Sequence, residues 1–305
     1  MVKKPQNEPP KESKIHRYYS SDLLLRAAAA DTTAVVREAQ KLQGLSPMAT
    51  LAVGRAITGA LLLGCQLREG QAVGLYFKGD GPLGTLFAEA TYESHTRAYC
   101  ANPKLIGKMK DGHLDLASAI GQGNLQVTRT QPFQKQPHIG LVPLWKGEIA
   151  QDIAYYLFQS DQVPSIVSLT VQMDELGEVQ AAGGVILEVM PGATDKVLSE
   201  LEKNALKVKA LSETIARKAP LKEWVIPFSH DPVLTEVVHD FPILYKCRCS
   251  QERVDRSLTI LGTATLSEMI LQGDPAHITC QFCGRNYTVP VSEIRSILEG
   301  MKSDS

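Results

Sequence analysis

KCRCSQERVDRSLTILG, residues 246–262, and ITCQFCGRNYTVP, residues 278–290, hold four of the chain's six cysteines. Cys247 and Cys249 form a C-x-C, thirty residues intervene, and Cys280 and Cys283 form a C-x-x-C. Two close pairs of this kind are what a tetrahedral four-cysteine zinc site needs, because each short loop supplies two ligands to one edge of the tetrahedron. Gly284 allows the chain to turn just beyond Cys283. The plainer alternative is four unrelated buried cysteines. Two tight pairs argue against it, free cysteine being uncommon.

The energetics point the same way. Residues 246–300 form a short segment, and so small a core is marginal without a staple. A structural zinc ion in a small domain contributes about 10–16 kcal/mol of apparent binding energy at neutral pH. Around the cysteines, SQERVDRSLTILG and LSEMIL read as short helices, ITCQFCGRNYTVP as a metal-bearing hairpin and VSEIRSILEGM as a C-terminal helix. Four thiolates leave no coordination position for water, so the site reads as structural or redox rather than hydrolytic. Thiolates are the oxidisable form of cysteine, and both pairs are close enough in sequence for local disulfides that would remove the ligands.

Upstream, residues 195–245 change character. DKVLSELEKNALKVKALSETIARKAP places Leu198, Leu201, Ala205, Val208, Leu211 and Ile215 at helical spacing among many charges, until Pro220 ends the pattern. The stretch on to Tyr245 carries Pro227, Pro232 and Pro242 and has room only for short helices. These fifty or so residues read as a helical linker of modest intrinsic stability. A zinc-stapled domain beside a weakly stable linker is a two-state element, and oxidation of the thiolates would release the metal, unfold that domain and expose apolar surface.

Residues 15–194 alternate helical and strand-like segments, as expected of one α+β domain with mixed layers. LLLRAAAADTTAVVREAQKLQG, from Leu23, is helical in propensity throughout, but its first half reads equally as a buried strand entering a helix near Thr33. After Pro47, ATLAVGRAITGALLLGCQLRE is apolar on nearly every face, a buried helix. AVGLYFKG and GTLFAEATYES form a hairpin about Asp80, Gly81 and Pro82. SIVSLTVQMDELGEVQAAGGVILEVMP reads as two strands about a turn near Gly177, with Gly183 and Gly184 where a side chain would not fit or φ is positive. Residues 1–14 read as a disordered leader.

The remaining signals exclude more than they add. A formal net charge of −1 over 305 residues lacks the basic excess of a protein held by phosphates. The N-terminus lacks the apolar core of a secretory signal, and its Glu8 and Glu12 are unlike a transit peptide. No uninterrupted apolar stretch reaches ~18 residues, so no membrane span is expected. The expected location is the cytoplasm, where clustered cysteines mean metal or redox chemistry more often than structural disulfides. Cys65 and Cys100 sit in no paired motif and read as core residues, and His277, near the CQFC turn, is a substitute ligand that four cysteines make superfluous. Gly79, Gly81 and Gly84 spell the dinucleotide-binding G-x-G-x-x-G, but a β-rich segment follows where a helix is required. The rival from another class is a zinc-ribbon nucleic-acid-binding protein. Arg248, Arg253, Arg256 and Arg285 near the cysteines would serve it, yet Glu252, Asp255, Glu268 and Asp274 offset them. No nucleophile–base motif marks an enzyme.

The order of these features resembles the heat shock protein 33 family of redox-regulated holdases, from about Ile15 along almost the whole chain. The tail carries the most specific part, with Ser250, Arg253, Leu258, Leu261, Phe282, Gly284 and Tyr287 around the four cysteines. KGDGPLG (78–84), AYCANP (98–103), DIAYYLFQSDQVPS (152–165) and AAGGVILEVMPGA (181–193) are similar to family segments as well. The resemblance implies an N-terminal chaperone core at 15–194, a linker at 195–245 and a zinc redox-switch domain at 246–305. It implies one Zn2+ per chain in a reduced, inactive form, monomeric, held by Cys247, Cys249, Cys280 and Cys283. It further implies that oxidation pairs Cys280 with Cys283 first and Cys247 with Cys249 second, releases zinc and unfolds the linker. The resulting dimers would bind unfolding proteins without ATP and hand them to ATP-dependent foldases. The chain departs from the family pattern in being close to neutral and in its extra leader.

Overall fold

The computed structural model describes residues 13–20, 22–134, 136–205, 211, 214–215, 217, 219–229, 235–238 and 241–303. The chain divides into two compact units after Lys246. Of the expected leader, residues 1–12 lie outside the described residues, whereas Lys14 already belongs to the first strand.

The first unit is built on two sheets. One runs in the order β10 (Ser165–Met173), β11 (Val179–Val189), β2 (Leu25–Asp31), β1 (Lys14–Ser20), β12 (Thr235–Val238), and the other in the order β13 (Leu244–Tyr245), β5 (His95–Cys100), β4 (Leu86–Thr91), β3 (Ala72–Gly79), β8 (Gly123–Thr130), β9 (His138–Pro143). Strand β1 (Lys14–Ser20) pairs antiparallel with β2 (Leu25–Asp31), so the alternative left open for the alanine run is decided for a strand. Helical propensity yields there to tertiary context. Ala28 and Ala30 turn to one side of the sheet and Ala27 and Ala29 to the other, and the small side chains let both sides be covered closely. Helix α1 (Thr33–Gln43) follows and ends at Gly44, whose φ of 56° is the left-handed cap that glycine adopts freely. Helix α2 (Pro47–Gly64) starts at Ser46, whose Oγ accepts from the Ala49 amide at 3.2 Å, with Pro47 in the first turn. By length and mean hydropathy, 1.4, α2 could cross a membrane, but 89% of it is buried inside the protein. It is the core helix, packed in one apolar cluster with residues of both sheets, including Ile15, Ala30, Ile186, Leu75 and Phe77.

Strands β3 (Ala72–Gly79) and β4 (Leu86–Thr91) form the expected hairpin, Ala72 opposite Thr91. A strand, not a helix, follows Gly84, as the hairpin reading of the glycine motif requires. The second sheet is completed by β5 (His95–Cys100), β8 (Gly123–Thr130) and β9 (His138–Pro143); the two-residue strands β6 (Met109–Lys110) and β7 (His113–Leu114) and helix α3 (Leu116–Ile120) lie between β5 and β8 in sequence. After α4 (Ala150–Gln159), β10 (Ser165–Met173) and β11 (Val179–Val189) pair antiparallel and return the chain to the first sheet beside β2. At Gly183 and Gly184 the reason is space. A Cβ on Gly183 would lie 2.5 Å from the Ala30 carbonyl oxygen and 2.7 Å from Trp224, and one on Gly184 would lie 2.6 Å from the Ser168 carbonyl oxygen.

Residues 195–245 differ from the all-helical expectation. Helices α5 (Asp195–Ala205) and α6 (Leu221–Ser229) are present, but so are β12 (Thr235–Val238), which pairs with β1, and β13 (Leu244–Tyr245), which pairs parallel with β5. Both strands are too short to register in a hydrophobic period. Trp224, Val225 and Phe228 of α6, with Leu211 and Ile215 of the expected stripe, are buried with Tyr18, Leu25, Val185 and Leu187 on the face of the first sheet turned away from α2. Residues 206–210, with Val208 of that stripe, lie outside the described residues.

The second unit follows the expected order: α7 (Gln251–Thr259), α8 (Gly262–Gln272), β14 (Ala276–Thr279), β15 (Asn286–Val289) and α9 (Val291–Ser303). Its core is small, with Val254, Leu258, Leu266, Ala276, Val289, Ile294 and Leu298 as the buried apolar side chains.

A candidate metal centre of four cysteines

Two local structures bring the sulfurs together. Cys247 and Cys249 precede α7, where Ser250 caps the helix by accepting the Arg253 amide on its hydroxyl at 3.4 Å. Cys280 and Cys283 sit on the connection between β14 and β15. There the Cys280 amide donates to the Arg285 carbonyl at 2.9 Å and the Gly284 amide to the Cys280 carbonyl at 2.8 Å. Gly284 takes φ 69°, so a glycine closes the knuckle as expected from its place in the sequence.

All four Sγ atoms lie within 4.8 Å of one another. Cys247 approaches Cys280 at 3.6 Å and Cys249 approaches Cys283 at 3.5 Å, one sulfur from each loop in both contacts. A tetrahedron of thiolates bound to zinc at ~2.3 Å has edges of about 3.8 Å, so these spacings suit a metal ion and are far beyond a disulfide's ~2.05 Å. The four cysteines could hold a metal ion. All are partly exposed, whereas Cys65 and Cys100 are buried in the first unit. His277 stands outside the group, its Nδ1 3.3 Å from the Thr288 hydroxyl.

The thiols are unequal. Burial holds Cys247 well above the ordinary range, and burial likewise raises Cys283. At Cys249 burial also opposes ionisation, but the Tyr287 hydroxyl and the thiols of Cys247, Cys283 and Cys280 outweigh it and bring the group down to about 7. Burial pushes Cys65 up to about 12 and Cys100 to about 11, which makes both poor nucleophiles. Tyr245 escapes a motif-based reading. It stands two residues before Cys247, and its hydroxyl accepts from the Ala98 amide at 3.3 Å and from Gln43 Nε2 at 2.9 Å.

The family described as Hsp33 protein matches residues 13–290. This chain belongs to the Hsp33 family. A 33 kDa chaperonin of Thermus thermophilus is 38% identical over 284 residues, covering 90% of this chain and 83% of that one. Its counterpart in Desulfotalea psychrophila is 32% identical over 279 residues, covering 90% and 93%. The crystal structure of the 33 kDa chaperonin (heat shock protein 33 homolog) from Thermotoga maritima superposes with a TM-score of 0.84 at 31% identity, covering 96% of this chain and 99% of that one. The α+β architecture is therefore that of an Hsp33 protein, and its cysteine cluster is compatible with a zinc-binding redox-switch domain. Membership of the family supports chaperone function, the binding of unfolded proteins.

Proposed function

We propose that this Hsp33-family chain is a redox-regulated, ATP-independent holdase whose switch is the cluster of Cys247, Cys249, Cys280 and Cys283. The observation that carries the reading is the gathering of four partly exposed sulfurs within 4.8 Å in a unit with a small core. In the reduced state the four thiolates would hold one Zn2+, which supplies the folding energy the small core lacks. Oxidation joins Cys280 to Cys283 and Cys247 to Cys249. In each pair two thiolates lose two electrons to one hydrogen peroxide, an S–S bond forms, and two protons are taken up as the peroxide becomes two waters. Without its four donors the unit no longer holds the metal and loses its staple. Residues 195–245 then act as the linker that comes away from the core domain at 15–194 and uncovers apolar surface for unfolding clients. The active form would be a dimer and the reduced form a monomer, working in the cytoplasm, binding rather than transforming its clients and passing them to ATP-dependent foldases.

The test is light scattering of a thermally aggregating client without ATP, in the presence of the protein either reduced with zinc or treated with peroxide at elevated temperature. Zinc release is followed in the same samples with a chromogenic chelator. Suppression only after oxidation, in step with zinc loss, is the expected result. Zinc loss with unchanged aggregation would leave the metal site and remove the holdase assignment.

A further inference from the structure

Strand β12 is the edge of the five-stranded sheet, and behind it lies β1, which pairs with β2 along all seven residues but with β12 only from His16 to Tyr19. We propose that when β12 leaves, the edge of β1 becomes the site at which an extended segment of an unfolding protein adds to the sheet, in the place β12 now holds. The inference rests on the holdase reading above and names the client surface within it.

Three observations converge. The first is the present occupant. Thr235-Glu236-Val237-Val238 is a short, mostly β-branched strand in antiparallel register, with Val237 opposite Arg17 and Glu236 opposite Tyr18, so this edge already accepts main-chain pairing. Strand addition draws its affinity from backbone hydrogen bonds that any sequence offers and its selectivity from pockets for alternate side chains. The second is such a pocket. A cavity of about 290 Å3 lies beside Val237, lined by Arg17, Tyr19, Arg26 and Gln66, so a side chain larger than valine can be housed at that register position. The third is charge. Strand β1 carries Lys14, His16 and Arg17 and no acid, and Glu236 of β12 is paired with His16. In the cavity, Arg26 is engaged by Glu188 through two bonds of 3.0 Å, and Arg17 donates from one terminal nitrogen to the Cys65 carbonyl at 3.3 Å. The Nε of Arg17 is buried with no hydrogen-bond partner among the described residues. An unmatched donor beside the register position of Val237 calls for an acceptor. The partner that fits is an extended, β-branched segment with an acidic side chain where Val237 stands.

The experiment uses the full-length chain, oxidised with peroxide at elevated temperature, and chemically denatured citrate synthase as the client. Hydrogen–deuterium exchange of those His16–Tyr19 amides that face β12, alternate residues along the strand, is expected to lose protection on oxidation and to regain it when the client binds, while the amides that face β2 stay protected. A synthetic peptide of residues 233–241 should compete with the client and restore light scattering. Val237→Glu in that peptide should strengthen competition, and Val237→Lys should weaken it. In the reduced protein, Val237→Pro disfavours the strand and should bring suppression without oxidant, with exchange protection of β10 and β11 reporting that the sheet still folds. If that variant fails to fold, the peptide series decides. Suppression by the oxidised protein with β1 amides still open in the presence of client, and with no competition by the peptide, overturns the edge site and leaves the holdase standing. No suppression after oxidation overturns the holdase reading and the edge site with it.

Discussion

The Tyr245 hydroxyl donates to the Ala98 carbonyl at 2.9 Å, and so fastens the chain to β5 two residues before the first cysteine of the second unit. The Lys246 amide adds a bond of 2.8 Å to the Thr96 carbonyl. The segment that leads into Cys247 is thus held to β5 by side chain and backbone alike. Tyr245→Phe removes the hydroxyl from three contacts at a buried position and should cost about 1–3 kcal/mol. Faster amide exchange at residues 244–246 and a lower urea midpoint are the expected results, with activation at a lower temperature if the holdase reading holds. An unchanged exchange rate there would show that the anchor bears no load.

Gly183 tests how α6 is seated. A methyl group at this position meets the Ala30 carbonyl oxygen and the Trp224 ring closer than van der Waals contact allows. Gly183→Ala should therefore destabilise by about 1–3 kcal/mol through overpacking. Trp224 is 2% exposed, while the chain's other tryptophan, Trp145, is 60% exposed. A red shift of the tryptophan emission would thus report the release of α6. On the proposed mechanism the variant also needs less oxidant to suppress aggregation.

Serine at both Cys280 and Cys283 should abolish tight zinc binding. With a core as small as that of the second unit, the loss of about 10–16 kcal/mol of apparent metal binding leaves this unit unfolded while the first remains native. Zinc stoichiometry by atomic absorption, with amide spectra of both units, checks this. Retained stoichiometric zinc would refute the ligand assignment.

Cys65 and Cys100 carry the opposite expectation. Both are raised by burial above the ordinary thiol value of 9.0, to about 12 and about 11. Below pH 9 they are thiols in the folded and the unfolded chain alike, and their contribution to stability is fully present. As pH rises past 9 the unfolded chain ionises first, so stability is lost towards pH 11 and 12, by about 1.4 kcal/mol per pH unit for each thiol. Urea midpoints between pH 8 and 11 should fall, and less steeply in Cys65→Ala. Iodoacetamide at pH 8 should leave both unmodified in the native protein, as read by intact mass. Labelling of either would show that its burial is breached.

The spacing of the four cysteines, the glycine after Cys283 and the apolar run of α2 were all legible in the sequence, because each acts over a few neighbouring residues. A chelating pair and a turn are local chemistry, and an element buried on every side is apolar on every side. The order of elements in the second unit could be read for the same reason. What only the tertiary structure decided lies where chain-distant partners compete. The alanine run at 27–30 has the propensity of a helix and becomes a strand, because β1 and β11 pair with it on both edges. Thr235–Val238 and Leu244–Tyr245 become strands because β1 and β5, more than a hundred residues away in sequence, offer them edges. The distance between one cysteine pair and the other, the role of Tyr245 as an anchor and the cavity beside Val237 belong to the same class. None is encoded by residue type or spacing alone, since backbone pairing and packing volume depend on which surfaces the fold brings together.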